Sequence, residues 1–398
     1  MKASLEDLQS RQNHALHVLT LTPFYPHEQD DGSGCFVAEP LDALAESGIQ
    51  NSVFAVEPWY RGRLHSTPSA PARWLRYSSL PGNIGLPTAG AFLYARIVGA
   101  VRELHGKHRI DLVHAHAALP CGHTAMLLHA ELGIPYVITV HGLDAFSTTQ
   151  VSGRVGEWCR RISQHVFRNA NRVICVSERV REKVLEGAGG ACSTVVVYNG
   201  VNPDMFSPPV NPLQGLSVLS VGNLIPIKGH ELLLRAIAKI SSEFPALTCD
   251  IIGSGPEKDR LQKLAAELRI AERVRFAGRQ SRAKVAEAMR ACTVFALPSR
   301  YEGLGCVYLE AMSCGKPAIA CRGQGISEVI RDGWNGALVS DNDAHELAGT
   351  LAVLLRDEPR RRRIGAAARN TILQGFTLAH QAEHLARIFQ ESVRECLP

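Results

Sequence analysis

Two carboxylates eight residues apart, Glu302 and Glu310, stand in the stretch SRYEGLGCVYLEAMSCGKPAIACRGQGISEVI. If a helix begins at Leu304, Glu302 precedes its N-terminus and Glu310 lies about two turns inside it. An acid beside a helix start serves as a cap, which accounts for Glu302. It does not account for Glu310, which falls within the apolar run VYLEAM, where a carboxylate needs hydrogen-bond partners. Sugar or ribose hydroxyls would supply them. Gly303 and Gly305 allow ligand atoms close to the backbone and its N–H groups. A third acid, Glu328, follows the loop that holds Gly323 and Gly325.

Other loops suit phosphate. Gly32 and Gly34 lie between a first apolar run and a helical one, where free N–H groups and small residues favour an anion. DIIGSGPEKDRL begins like a dinucleotide fingerprint, but Lys258 stands at the third glycine position. VGNLIPIKGHELL is not a phosphate-binding P-loop, because Ile227 precedes Lys228 and Gly229 follows it. What remains there is a cation at a strand-to-helix loop. His114 and His116 share one strand face, with His123 nearby. No cysteine or carboxylate pattern accompanies them, so no zinc site is expected and His116 reads as a polar residue lining a cleft. No G-x-S-x-G occurs, which disfavours an α/β-hydrolase.

Short Val- and Ile-rich runs must carry these loops. Strands are expected over 15–22, 52–56, 111–115, 136–140, 172–176 and 194–198. Helices are expected over 35–47, 89–105, 119–132, 153–169 and 178–187. Continuous apolar strands alternating with helices predict parallel sheets covered on both faces. The rhythm breaks at NGVNPDMFSPPVNPLQG, whose four prolines mark a linker. It then restarts with strands over 217–221, 248–252, 274–277, 293–297, 317–320 and 337–339. The helices of this half are expected over 230–244, 257–268, 282–290, 304–314, 344–356 and 359–374. A last amphipathic helix covers 378–394. The fold class is therefore α/β, with two doubly wound domains facing each other across a cleft at the carboxyl ends of their strands. The expected division is 1–205, 206–375 and the closing helix 376–398.

Composition excludes other classes. A chain of 398 residues exceeds one ordinary core, and 45% hydrophobic with 20% charged residues leaves little room for disorder. A net charge of +5 is too weak to argue for nucleic-acid binding. The 11 cysteines form no C-x-x-C pair, and reduced thiols of a cytosolic protein are the simplest reading. The first residues resemble no signal peptide, and no run is long enough to span a membrane. Charge is uneven, however. From Glu57 to Arg109 eight Lys and Arg face only Glu57 and Glu103, with Trp59, Tyr60, Trp74 and Tyr77 interleaved. Such a segment suits anionic lipid head groups or a phosphorylated acceptor, or is simply a solvated face.

Taken together, these stretches resemble a known family. Glu302-x7-Glu310 with AMSCGKPAIA, VGNLIPIKG with IIGSGPE, NGVNPDMF, VHGLD and the Gly32–Gly34 loop look like a retaining family 4 glycosyltransferase. The SGCFV and GQGISEVI variants resemble its bacterial surface-polysaccharide branch. The resemblance implies the GT-B architecture of two facing Rossmann-like domains. It implies that Glu310 binds the nucleotide ribose and Glu302 the donor sugar hydroxyls. Gly303, Leu304 and Gly305 would offer N–H groups to sugar or diphosphate, and Lys228 would hold the phosphates. His141 would stand beside the donor sugar, with Asp144 and His116 toward the acceptor, and Gly34 would admit the diphosphate. Asn223 departs from the family's usual arginine, which leaves diphosphate stabilisation more to Lys228 and helix N-termini.

The implied reaction moves a sugar from a nucleotide diphosphate, UDP-linked by expectation, to a lipid-linked or polysaccharide acceptor. No metal and no cofactor are expected, and no D-x-D lies where the metal-dependent GT-A enzymes carry one. The protein is expected in the cytoplasm, at the inner face of the membrane through its basic segment. Three alternatives stay open: a family member making a soluble glycoside, a phosphorylase of GT-B shape, and a non-catalytic nucleotide-sugar binding module. The last is disfavoured by the presence of Glu302, Glu310, His141 and Lys228 together.

Overall fold

The structure, a computed structural model, describes residues 15–27, 30–60, 72–81, 84–142, 144, 151–190, 192–210 and 215–396. Arg61 and Arg63 of the basic segment, Leu143 of VHGLD and linker residues 211–214 lie outside them. Two parallel sheets organise the chain. The first has seven strands: β1 (His17–Thr22), β2 (Gln50–Pro58), β3 (Ala72–Tyr77), β4 (Leu112–His116), β5 (Tyr136–Val140), β6 (Arg172–Cys175) and β7 (Thr194–Val196). Their order is β3-β2-β1-β4-β5-β6-β7. The second has six: β8 (Ser217–Val221), β9 (Thr248–Ile252), β10 (Val274–Gly278), β11 (Val294–Ala296), β12 (Ala318–Cys321) and β13 (Ala337–Val339), ordered β10-β9-β8-β11-β12-β13.

Every residue of β1 is buried, as a strand covered on both faces requires. Val18 joins one apolar cluster and Leu19 the other, because successive side chains leave a strand on opposite faces. One face of this sheet is covered by α2 (Leu86–Lys107), α3 (His123–Leu132) and α4 (Gly153–Asn169), through residues such as Leu93, Ile97, Leu128 and Phe167. The other is covered by α1 (Cys35–Glu46) and by the final helix of the chain, α12 (Leu378–Glu395). Leu385, Ile388 and Phe389 of α12 share a core with Val18, Leu44 and Leu112. The remaining helices are α5 (Glu178–Ala188), α6 (His230–Ile240), α7 (Lys258–Glu267), α8 (Arg282–Ala291), α9 (Cys306–Ser313), α10 (Ala344–Arg356) and α11 (Glu358–Gly375). Of these, α6, α7 and α10 close one face of the second sheet, with Leu233, Ile237, Leu261 and Leu351 among Val218, Ile251 and Ile319.

Three of the differences from expectation concern elements beside the cleft. Strand β3 was not anticipated: Ala72–Tyr77 is an edge strand that buries Leu75 and Tyr77 and leaves Arg73 exposed, so its charges masked its period. Helix α3 starts at His123 rather than 119, because the chain first makes a π-type turn over Ala118–Gly122 that contains Pro120. Helix α9 starts at Cys306 rather than Leu304, because Gly305 takes φ +87°, a left-handed conformation that ends the loop. Glu310 accordingly sits little more than one turn into its helix, not two.

Candidate active site

Where the carboxyl ends of the two sheets face each other, a cavity of about 480 Å³ opens between the domains. Phe24, Gly34 and His141 line it from the first half, and Asn223, Lys228, Arg282, Glu302 and Glu310 from the second. Lys228 ends the short 3-10 turn Pro226–Lys228 after β8, and its Nζ donates to Glu302 Oε1 at 2.6 Å. Glu302 is 7% exposed, so this pair is largely shielded from water and from salt. The backbone N–H of Glu302 in turn donates to Gln324 Oε1 at 3.2 Å. Asn223 is exposed at the rim.

The Gly303–Leu304–Gly305 turn is wedged between the halves. The Gly303 carbonyl accepts a 2.5 Å hydrogen bond from Ser177 Oγ of the first half, and a Cβ on Gly303 would overlap the carbonyl oxygen of His141. Among the described residues, none of the N–H groups of Gly303, Leu304 and Gly305 donates within the protein. They precede the N-terminus of α9, so the turn presents unfilled donors beside the Lys228 cation, an arrangement suited to an anion. Gly34 makes the matching close approach from the first half: at φ +74°, a Cβ there would press on the backbone of Phe24 and Tyr25. Gly32 has no such constraint, its nearest neighbour lying 3.7 Å away.

Glu310 is 2% exposed. Its Oε1 accepts from Arg282 Nη1, while Oε2 is buried without a partner. Arg282, the first residue of α8, was not foreseen as a site residue. Its Nε and Nη2 reach across to Glu39 Oε1 of α1 at 3.0 and 2.6 Å, and its guanidinium lies 4.8 Å over the ring of Phe206. Its backbone N–H meets both oxygens of Asp31 at 3.0 Å. Arg279 pairs with Asp30 beside it. Burial pushes the Glu39 carboxyl up, against the pull of Arg282. In sequence, Ser281–Arg282 reads only as a capped helix start, and Ser281 does cap α8 by accepting from Lys284 N–H.

His141 follows β5 directly. Its Nε2 is 3.0 Å from His116 Nδ1 of the neighbouring β4, with the rings parallel to within 10°. His114 lies behind, its Nε2 2.7 Å from Thr139 Oγ1. Burial holds His114 and His141 down to about 3 and His116 well below the usual imidazole value, so all three are neutral at pH 7. His116 thus stands behind His141 and off the walls of the donor-side cavity. Asp144 accepts the His141 backbone N–H at 3.0 and 3.2 Å, and burial raises its carboxyl to about 6 against those hydrogen bonds. Asp144 also lines a neighbouring hollow of about 580 Å³ whose walls include Tyr25, Tyr60, Trp74 and Tyr77.

Glu328 has a structural task. It accepts from the backbone N–H groups of Glu178 and Arg179 at 2.8 and 2.9 Å, capping α5 from the other half of the molecule. Another hollow of about 500 Å³, beyond the Pro226–Lys228 turn, is lined by Arg235, Arg260 and Arg300. Glu231 and Glu257 already neutralise two of these cations. In the basic segment Arg76, Arg102, Lys107 and Arg109 are likewise paired, with Glu57, Glu131, Glu103 and Asp111. All 11 cysteines are free thiols. Among the described residues no helix is long and apolar enough to cross a membrane, and no cluster of three or more His, Cys, Asp or Glu is arranged to hold a metal.

Two family models divide the chain between them. Residues 8–205 match Glycosyltransferase Family 4, and residues 204–371 match Glycosyl transferases group 1. An uncharacterized glycosyltransferase of Methanocaldococcus jannaschii is 32% identical over 64% of this chain and 68% of its own length. A D-inositol 3-phosphate glycosyltransferase of Acidothermus cellulolyticus is 30% identical over 81% of this chain and 78% of its own. Among solved structures, HepE of Anabaena in complex with UDP-glucose superposes with a TM-score of 0.74, at 21% identity over 94% of this chain and all of that one. The two facing parallel sheets share the fold of that solved structure, and the chain belongs to the group 1 and family 4 glycosyltransferases of GT-B fold.

Proposed function

We propose that the protein is a retaining, metal-independent transferase that moves a sugar from a UDP-linked donor to a glycan or lipid-linked glycan acceptor at a membrane surface. The observation that carries this reading is the shared cavity in which Lys228, Glu302, the open Gly303–Gly305 amides and the unpartnered Glu310 oxygen converge on His141. In it, the ribose diol donates to Glu310 Oε2, Glu302 takes donor sugar hydroxyls, and Lys228 with the turn amides stabilises the departing diphosphate. Residues 1–205 hold the acceptor, 206–375 the donor, and 376–398 brace the first against the second.

The step balances without a protein nucleophile. An acceptor hydroxyl oxygen bonds to the anomeric carbon as the bond to the diphosphate oxygen breaks. The hydroxyl proton passes to that oxygen on the same face, leaving glycoside and nucleoside diphosphate. His141, held neutral, donates or accepts a hydrogen bond there but carries no charge. The aromatic hollow ending at Asp144 supports a sugar acceptor, since aromatic faces and a carboxyl suit a pyranose. Trp59, Leu80, Ile84 and Phe92 are all at least half exposed near that hollow's chain segment, which supports contact with a membrane interface. The complex of HepE with UDP-glucose supports a UDP donor.

The test is donor hydrolysis followed by NMR, with UDP- and GDP-sugars offered singly. Slow release of UDP from one donor, lost in Lys228→Ala and Glu302→Ala, is expected. Turnover unchanged in both variants would overturn the site, and release of GDP alone would overturn the UDP assignment.

A further inference from the structure

One arginine serves both the ribose-binding carboxylate and the contact between domains. The side edge of the Arg282 guanidinium, Nε and Nη2, is held by Glu39 of the first half. In that orientation Nη1 meets Glu310 Oε1 alone, and Oε2, deep in the cavity wall, has no partner. A guanidinium beside a lone carboxylate prefers the bidentate pairing, two parallel N–H···O bonds to both oxygens. Freed from Glu39, the guanidinium can turn a two-donor edge onto both oxygens of Glu310 and occupy the one now open.

We infer that Glu39 is a positioning residue for donor binding: by taking the two-donor edge of Arg282 across the domain boundary, it keeps Glu310 Oε2 open to the ribose diol, so the donor pocket is complete only when the halves are together. The inference rests on the proposed ribose role of Glu310. Linkage makes the effect reciprocal, so a ribose on Oε2 favours the joined halves by the same factor. The neighbouring contacts fit a closure of this kind. Asp30 and Asp31 meet Arg279 and the Arg282 backbone from the same first-half loop, and Phe206 of the connecting segment lies under the guanidinium. Glu39 itself does not line the cavity and touches the donor only through Arg282.

The test is calorimetric titration of the full-length protein with UDP, GDP and their 2′,3′-dideoxy analogues. In the wild type the preferred ribonucleotide binds about ten- to a hundredfold tighter than its dideoxy form, as hydrogen bonds to a charged group require. In Glu39→Gln the ribonucleotide is expected to weaken by about tenfold while the dideoxy form is unchanged, so the ratio collapses. Glu39→Ala is expected to show the same collapse and serves if the first variant does not fold, whereas Arg282→Lys, whose ammonium has no fork to close on both oxygens, is expected to keep the wild-type ratio. Equal weakening of both ligand forms, or no weakening of either, would overturn the inference while leaving the donor site standing. Failure of the wild type to bind either diphosphate, or to distinguish ribo from dideoxy, would instead overturn the ribose assignment, and the inference with it.

Discussion

Acidification from pH 7 to pH 5 tests the buried histidines. His114 is held near 3 and His116 well below its ordinary value, so both stay neutral in the folded protein throughout this window. In the unfolded chain each titrates near 6.5. The unfolded state takes up protons first, and stability falls as pH drops below about 6.5. Integrated over the window, each histidine held neutral costs about 2 kcal/mol, about 4 kcal/mol for these two, and His141 near 3 and His230 near 4 add in the same direction. Asp144 works the other way. Its folded value of about 6 lies above its unfolded one, so the folded state takes up that proton first and regains about 1 kcal/mol. From His114, His116 and Asp144 alone the loss is about 3 kcal/mol, already a large share of a typical domain's stability. Urea midpoints read by tryptophan fluorescence at pH 7, 6 and 5 measure it. His116→Asn, which keeps a hydrogen-bonding group toward His141, should remove about 2 kcal/mol of the acid sensitivity, and Asp144→Asn should steepen it. Stability that is flat between pH 7 and pH 5, or an unchanged slope in His116→Asn, would refute the reasoning.

Gly303→Ala is expected to cost more than tenfold in transfer rate, because its methyl would overlap the His141 carbonyl and force the halves apart; solution scattering should show an expanded particle. Asp144→Asn is expected to abolish any inflection near pH 6 in the pH–rate profile, since Asp144 alone among the groups around His141 titrates there. Phe389→Ala should destabilise the first half by about 3–5 kcal/mol through the cavity it leaves, visible as a drop in melting temperature with donor affinity unchanged.

The strands Tyr136–Val140, Ser217–Val221, Thr248–Ile252 and Ala337–Val339 were legible to the residue, because each is a short run rich in apolar residues followed by a turn former or polar residue, and Tyr136–Val140 is buried throughout. The edge strand Ala72–Tyr77 was not, since Arg73 interrupts one of its faces and Arg76 the other. At the site, Glu302, Glu310 and Lys228 announced themselves by standing in apolar or glycine-rich surroundings. Arg282 did not, because the stretch QSRAKVAEAMR has the pattern of an ordinary surface helix. Its partner Glu39 lies 243 residues earlier in another domain. The His116–His141 contact required knowing that β4 and β5 are neighbours, which alternation alone does not state. Pairings across a sheet or between domains are set by topology, and local periodicity carries no trace of them.

Helix α12 also governs how the protein is made. Val18, Leu44 and Leu112 leave the ribosome well before Leu385 and Phe389, which cover them and follow Leu112 by more than 250 residues. The second sheet has its own covering helices in hand before α12 emerges, whereas the first must wait with one face covered by α1 alone. Nascent chains therefore finish their C-terminal half first and their N-terminal half on release, the reverse of the usual vectorial order. A stop codon only a few turns early would strand the opposite end of the molecule, the half that carries His141.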